Sequence, residues 1–346
     1  MATGYVYDPI YLEHDLRGHP ESQQRLKTIL RVLDEHKMRE RLTPIPAMSI
    51  TPERLERVHE PRYIEQVRYM AERGGGHLDM DTYVHPASYE AARMAAGGLV
   101  EATRAVLDGE VANAFGLVRP PGHHALRSRG MGFCLFNNVA VAARYALAER
   151  GLDRVLFMDF DVHHGNGTQD EFEADPAVMY ISTHQYPHYP GTGHWSETGQ
   201  GEGQGSIVNV PLGAGVGDEG FARILAEIVG PAAWRFQPQL MLISAGYDAH
   251  WDDPLAYMQL SIAGYTRIAR ALKELAEELC EGRLVITLEG GYHLEALSYS
   301  VLNTFAVLLG DEKWEVVDPL GPSPRPERSV DDVIQRVRHV HGLERG

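Results

Sequence analysis

The chain has 346 residues, 44% of them hydrophobic and 23% charged, which is the composition of a folded globule rather than a disordered or fibrous chain. A formal net charge of −16 argues against nucleic acid as a partner, because phosphate binding needs a basic surface; it would attract a cationic substrate or a basic protein, or simply keep the chain soluble. Two cysteines exclude a disulfide scaffold, no apolar run reaches the roughly 20 residues of a membrane span, and "MATGYVYDPI" has neither the basic nor the apolar region of a signal peptide, so a cytoplasmic protein is expected.

In chain order, the segment from Glu21 to Arg73 reads as mainly helical. A helix is expected over 87–107, a strand over 113–118 ("NAFGLV"), a helix over 138–149 and a strand over 154–160 ("RVLFMDF"). Strands follow over 178–183 and 206–212, a helix over 219–235, a strand over 239–244, a helix over 261–281 and a strand over 283–288. The strand runs are apolar almost throughout rather than alternating, which is how strands buried on both faces read. Strand alternating with helix predicts an α/β fold, a parallel sheet covered by helices on both faces. From Asp318 the chain turns Pro-rich, "DPLGPSPRPERS", and a short helix is expected from Val330. The expectation is one catalytic domain over 1–310 and a loosely attached tail over 311–346.

Four strands end in polar residues beside glycine. "NAFGLV" runs into "RPPGHHA", "RVLFM" into "DFDVHHGNG", "MLIS" into "AGYDAH", and "VITL" into "EGGY". Ligands of open parallel sheets bind beyond the carboxyl ends of the strands, so this convergence marks a site. In extended backbone Asp159, Asp161 and His163 project to one side. Asp161 and His163 are a candidate metal-ligand pair with Asp248 as third ligand, or else a buried Asp–His hydrogen bond. Three protein ligands leave an open position, as catalytic zinc sites do; iron or cobalt fits the same donors. His123 and His124 follow a stiff Pro-Pro-Gly turn and titrate near neutrality, so they suit proton transfer. Asp159 is placed to orient one of them, or to bind loop amides. Tyr292, on a Gly-Gly turn, could donate to a developing oxyanion, or merely decorate the turn.

"RPPGHHA", "GFCLFNN", "DFDVHHGNGTQ", "HQYPHYPGTG", "AGYD" and "EGGY", in this order, resemble the zinc-dependent histone deacetylase family, in its bacterial and class II-like branch, which includes histone deacetylase-like amidohydrolases and is related to acetylpolyamine amidohydrolases. The resemblance runs from about Gly4 to Leu309. It implies the arginase/deacetylase fold, with a mostly parallel sheet of about eight strands. It implies zinc on Asp161, His163 and Asp248, His124 as general base and then acid, His123 as its partner oriented by Asp159, and Tyr292 on the substrate carbonyl. Gly132, Phe133, Tyr189 and Leu255 would line the substrate channel. A potassium ion would sit near Asp159, Asp161, His163, Ser182 and Thr183, and a second near Phe172, Asp175 and Val178. Asn166 stands where class I members carry Asp, and Tyr189 where many carry Phe. The implied reaction is hydrolysis of an acylated amine to acetate and free amine. The implied substrate is acyl-lysine in proteins or peptides, with acetylated polyamines as the alternative and a non-catalytic acetyl-lysine-binding module as a remote one. Leu255 stands where a polyamine-selective branch carries Glu, and no entrance-narrowing insertion precedes the His-His strand; both favour acyl-lysine. A two-manganese ureohydrolase would need further bridging aspartates.

Overall fold

The computed structural model describes residues 2–343; Met1 and residues 344–346, the outer ends of the two expected segments, lie outside it. The chain opens with β1 (Thr3–Val6), α1 (Gln23–Glu35), β2 (Thr43–Ile45), α2 (Pro52–Leu55), α3 (Pro61–Glu72), β3 (Gly76–His77) and β4 (Tyr83–Val84). Next come α4 (Ser88–Leu107), β5 (Asn113–Gly116), α5 (Asn138–Ala148), β6 (Val155–Asp159), α6 (Asn166–Phe172), β7 (Val178–Gln185) and β8 (Ile207–Leu212). The last third holds α7 (Asp218–Ile224), α8 (Gly230–Phe236), β9 (Leu240–Ala245), α9 (Ile262–Cys280), β10 (Leu284–Leu288), α10 (Leu294–Leu308) and α11 (Asp331–His341).

Eight strands form one wholly parallel sheet in the order β2-β1-β5-β10-β9-β6-β7-β8, and β3 and β4 make a small antiparallel pair. All six strands expected from apolar runs are present. Helices α4 and α5 pack on β5 and β6, while α9, α10 and α11 pack on β9, β5 and β8, so the sheet is covered from both sides. Every residue of β5, β6, β7, β9 and β10 is buried.

The segment from Glu21 to Arg73 is mainly helical, with α1, α2 and α3, but it also holds the short strand β2, and β1 precedes it where no element was expected. β1 and β2 have only four and three residues, too short to show a period. Pro44 in β2 sits on the sheet edge, where its missing N–H costs no ladder bond. The helix expected over 219–235 is broken: Leu225–Val229 adopt a wider π turn between α7 and α8. Pro231 cannot donate to the carbonyl four residues back, and the wider turn absorbs that loss. The tail is held more firmly than its composition suggests. Arg328 N–H donates to the Gly215 carbonyl, Glu327 accepts from the amides of Glu219 and Gly220, and Val330, Ile334 and Val337 are buried.

One buried ion cluster ties the N-terminal helix to the site. Glu21 accepts from the guanidinium groups of Arg119 and Arg25. Arg25 in turn donates from Nε to the Gly291 carbonyl (2.8 Å) and from Nη2 to that of Glu289. Arg119 immediately precedes the Pro-Pro-Gly turn, so Glu21 braces two strand ends at once. Burial opposes charge on Glu21, but the charge and bond of Arg119, with Arg25, bring its pKa down to about 2. A depressed carboxylate pKa stabilises the fold above the unfolded value and loses that contribution as pH falls from about 4.5 to about 2. Glu21→Ala, which strands two buried guanidinium groups, should cost about 3–5 kcal/mol. Urea unfolding across a pH series checks this: the variant's acid limb should be shallower than the parent's, and parallel limbs would contradict the assignment.

Candidate active site

The strands with polar ends, β5, β10, β9 and β6, lie side by side in the sheet. The chain passes from β6 to β7 on one side, and β9 returns on the other, so the site sits where the winding reverses. Asp159 is level with Ser244 of β9 and Ser182 of β7, which fixes the height of the loop that follows.

Ligating atoms of Asp161, His163 and Asp248 lie within 4.8 Å of one another. His163 Nδ1 is 3.2 Å from Asp161 Oδ1 and 3.3 Å from Asp248 Oδ2. The remaining oxygens are tied down: Asp161 Oδ2 accepts from Gly290 N–H (2.7 Å) and Asp248 Oδ1 from Val162 N–H (3.0 Å). Asp248 Oδ2 is buried and faces only the His163 nitrogen that Asp161 also shares. Two buried carboxylate oxygens on one imidazole nitrogen cost free energy unless further positive charge meets them. Burial disfavours a charged His163, yet bonds to Asp161 and Asp248 and their charges raise its pKa to about 10. Burial and the charge of Asp161 push Asp248 upward. The cluster demands positive charge, and its one nitrogen and two carboxylate donors fit a divalent ion of the zinc type. Glycine is needed close by, because a Cβ on Gly290 would run into the Asp248 carboxylate.

The histidine pair is split by its partners. His123 Nδ1–H donates to Asp159 Oδ2 (3.0 Å), and Tyr180 O–H donates to the same oxygen (3.0 Å). Burial opposes charge on His123, but Asp159 and Asp161 outweigh it and raise its pKa to about 10. His124 Nδ1 lies 2.8 Å from Asn166 Oδ1. The Asn166 amide nitrogen faces Met131 Sδ (3.6 Å), a weak acceptor, so the amide oxygen faces His124 and takes its Nδ1–H. Nε2 of His124 then carries the lone pair. Burial, reinforced by the charge of His123 4.0 Å away between ring centroids, holds the His124 pKa well below its usual value. Asp159 touches both the His123 ring and the loop backbone, since its Oδ1 also accepts from Asp161 N–H (3.1 Å).

A cavity of about 230 Å³ opens above these groups. Gly132, Phe133, Tyr189, Leu255 and Tyr292 all line it, as do His123, His124 and His163. Gly132 and Phe133 have φ of +55° and +69°, and a Cβ on Gly132 would strike the His124 ring. A phenylalanine in this left-handed region is uncommon and marks a strained, functional turn. Tyr189 stands edge-on to His124, at 5.2 Å. Burial raises the Tyr292 pKa well above its usual value, so its hydroxyl stays a donor.

Four neighbours have no counterpart among the residues read from sequence. His188 stacks on His163 (5.2 Å) and bonds through Nε2 to the Leu255 carbonyl. Asp253 accepts from the backbone N–H of Tyr292 (2.7 Å) and of His293 (3.1 Å), fixing the Gly-Gly-Tyr turn. Glu289 accepts from Gly122 N–H (2.7 Å) and Ser244 O–H (3.2 Å), joining three strand ends. Asp81, at the cavity mouth, adds an acidic group.

The potassium candidates fall in two places. Ser182 is level with Asp159 in the sheet, its Oγ lies 2.9 Å from His184 Nδ1, and Thr183 Oγ1 is buried without a partner. Phe172, Asp175 and Val178 form a turn in which the Phe172 and Asp175 carbonyls accept from Asp175 and Val178 N–H. The Asp175 carboxylate already pairs with Arg144 (2.6 Å), whose guanidinium lies over the Phe172 ring. Only carbonyl oxygens are left for a cation there.

Residues 19–308 match the family described as Histone deacetylase domain. A probable deacetylase of Archaeoglobus fulgidus is 39% identical over 344 residues, covering 98% of this chain and 95% of that protein. The human protein named polyamine deacetylase HDAC10 is 38% identical over 348 residues, covering 95% of this chain and 51% of its own length. A crystal structure of the HDA15 HD domain superposes with a TM-score of 0.90 at 37% identity, covering 98% of this chain and 95% of that one.

Proposed function

The chain belongs to the histone deacetylase family, an amidohydrolase family on the arginase/deacetylase fold, and from that membership we propose a zinc-dependent enzyme that removes acetyl groups from acyl-lysine side chains of proteins or peptides. The observation that carries the reading is the donor set of Asp161, His163 and Asp248 on the floor of a channel that also presents two histidines with different partners, His123 on Asp159 and His124 on Asn166.

An acetylated side chain is neutral, so it can pass between Phe133 and Tyr189 without paying the desolvation cost of an ammonium. Asp161, His163 and Asp248 would hold the zinc ion, which when bound supplies a Lewis acid for a carbonyl and lowers the pKa of a water. His124 Nε2 takes the proton of the attacking water and returns it to the departing nitrogen. His123, kept cationic by Asp159, favours the negative charge that develops beside it. Tyr292 donates a hydrogen bond from its hydroxyl to the same oxyanion, keeping its proton. Products are acetate and the free amine. Potassium near Asp159, Asp161, His163, Ser182 and Thr183 would have a structural role behind the channel, and the two free, buried cysteines are in keeping with a cytoplasmic setting.

Tyr292→Phe removes one donor to the oxyanion and should lower kcat about 10²–10³-fold with metal content unchanged. Kinetics beside elemental analysis decide it; a variant at full rate would take Tyr292 out of the mechanism.

Acetylated polyamines are the second reading, supported by Asp81 at the cavity mouth, the net charge of −16 and the activity named for the human relative. Against it, Leu255 on the channel wall cannot pair with a second ammonium. We expect kcat/KM for an acetyl-lysine peptide at least about tenfold above that for acetylated spermidine, roughly 1.4 kcal/mol of transition-state preference. The reverse ranking promotes the polyamine reading. Leu255→Glu should move the ratio toward polyamines; a fixed ratio would mean that the selectivity lies elsewhere.

A further inference from the structure

Two loops that wall the channel meet on one carboxylate. Asp253 lies in the loop after β9 and Tyr292 in the loop after β10, and these strands are neighbours in the sheet. Leu255 and Tyr292 line the reaction cavity, whereas Asp253 does not. Asp253 is 6% exposed, and its own N–H donates to the His250 carbonyl (3.0 Å). Its Oδ1 accepts from Leu255 N–H (2.9 Å), a local turn that Pro254 stiffens. Its Oδ2 accepts from the N–H groups of Tyr292 (2.7 Å) and His293 (3.1 Å). Other ties on the two loops act elsewhere. Arg25 holds the carbonyls of Glu289 and Gly291, and Asp161 holds the N–H of Gly290, all before Tyr292. His188 Nε2 holds the Leu255 carbonyl (3.0 Å), and Gln185 accepts from Tyr257 N–H (2.8 Å), which leaves the Leu255 N–H to Asp253.

A hydroxyl donor is worth most when it is already aimed at the place where charge develops. A misplacement of about 1 Å can cost about 10²-fold in rate. Tyr292 follows two glycines, and Gly291 has φ of +119°, a swivel that only glycine adopts freely. The aim of the tyrosine therefore depends on the bond that comes next, from its own N–H to Asp253. We propose that Asp253 is a positioning residue for the reaction, aiming the Tyr292 hydroxyl and setting the Leu255 wall in one register. The inference rests on the proposed hydrolysis, in which Tyr292 serves the oxyanion and Leu255 lines the path of the acylated side chain.

Asp253→Ala frees both loops. In the zinc-loaded, full-length enzyme it should lower kcat for an acetyl-lysine peptide by about 10–10²-fold, with metal content unchanged. In a Tyr292→Phe background the same substitution should lower kcat by less than about twofold, because the hydroxyl that Asp253 aims is already gone. A purely structural role gives equal losses in both backgrounds, and that result would overturn the proposal. Asp253→Asn separates the two halves and decides the matter if the alanine variant does not fold. Its amide oxygen goes to the two N–H groups of Tyr292 and His293, so its NH2 is left against Leu255 N–H, donor to donor. kcat should then stay within about threefold of the parent while KM rises at least about threefold, the mark of a wall contact made equally in ground and transition states. Any other pattern in Asp253→Asn would overturn the shared register. A parent inactive on every acylated amine would refute the proposed reaction instead, and crystal structures of the variants would still decide the positioning. Tyr292 should leave its place in Asp253→Ala and Leu255 should leave its place in Asp253→Asn; both side chains unmoved would overturn it.

Discussion

Asp248→Ala is expected to give a folded protein that retains no divalent metal and hydrolyses no acetylated amine. The argument begins with donors. Among the described residues three side chains converge on the proposed metal position, so losing one leaves two, and a two-donor site does not hold zinc against water. Folding should survive. Asp248 Oδ2 faces only His163 Nδ1, at 3.3 Å, and its charge lies beside that of Asp161. What disappears is that contact, which His163 still makes with Asp161, and one bond from Val162 N–H, about 1–3 kcal/mol for the stranded amide, partly offset by relief of the like-charge pair. Thermal melts separate this from unfolding. The parent should lose melting temperature when a chelator removes its ion, because a ligand at about 100 times its Kd contributes roughly 2.7 kcal/mol. The variant's melt should ignore the chelator. A full equivalent of zinc in Asp248→Ala, measured by elemental analysis, would remove Asp248 from the ligand set.

Much of this site was legible because buried parallel strands announce themselves. An apolar run such as "VLFM" that stops abruptly at Asp159 can only mark a strand leaving the core, and four such stops in one chain had to meet. The six-motif resemblance then carried the roles. What stayed hidden acts on backbone rather than on side chains. Glu289 and Asp253 hold amides of turns far away in sequence, and Arg25 reaches carbonyls 264 and 266 residues ahead of it. No periodicity encodes such bonds. One clue was available for Glu289: a glutamate directly after "LVITL" has to be buried and therefore has to be satisfied. β1 and β2 escaped for a different reason, since strands of three and four residues take their conformation from the neighbours they pair with.

The two histidines should part company under mutation. His124→Ala should lower kcat by about 10²–10⁴, the usual worth of a positioned general base. The reason lies in its tautomer. Asn166 Oδ1 accepts the Nδ1 hydrogen, which leaves the lone pair on Nε2, while burial beside cationic His123 keeps the ring neutral and ready for a proton. His123 cannot take this part, because Asp159 holds its Nδ1 hydrogen and stabilises its charged form. In the proposed mechanism it would favour the oxyanion through charge alone, so His123→Ala should keep measurable turnover, above that of His124→Ala by about tenfold or more, roughly 1.4 kcal/mol. Asn166→Ala extends the test. Without the amide oxygen the His124 ring is free to choose either tautomer, so part of the population presents N–H where a lone pair is needed, and kcat should fall while KM holds. Metal content must be unchanged in all three variants for the comparison to count. Equal losses for His123→Ala and His124→Ala at full metal occupancy would show that the two rings act as one unit, and the division of roles between them would have to be abandoned.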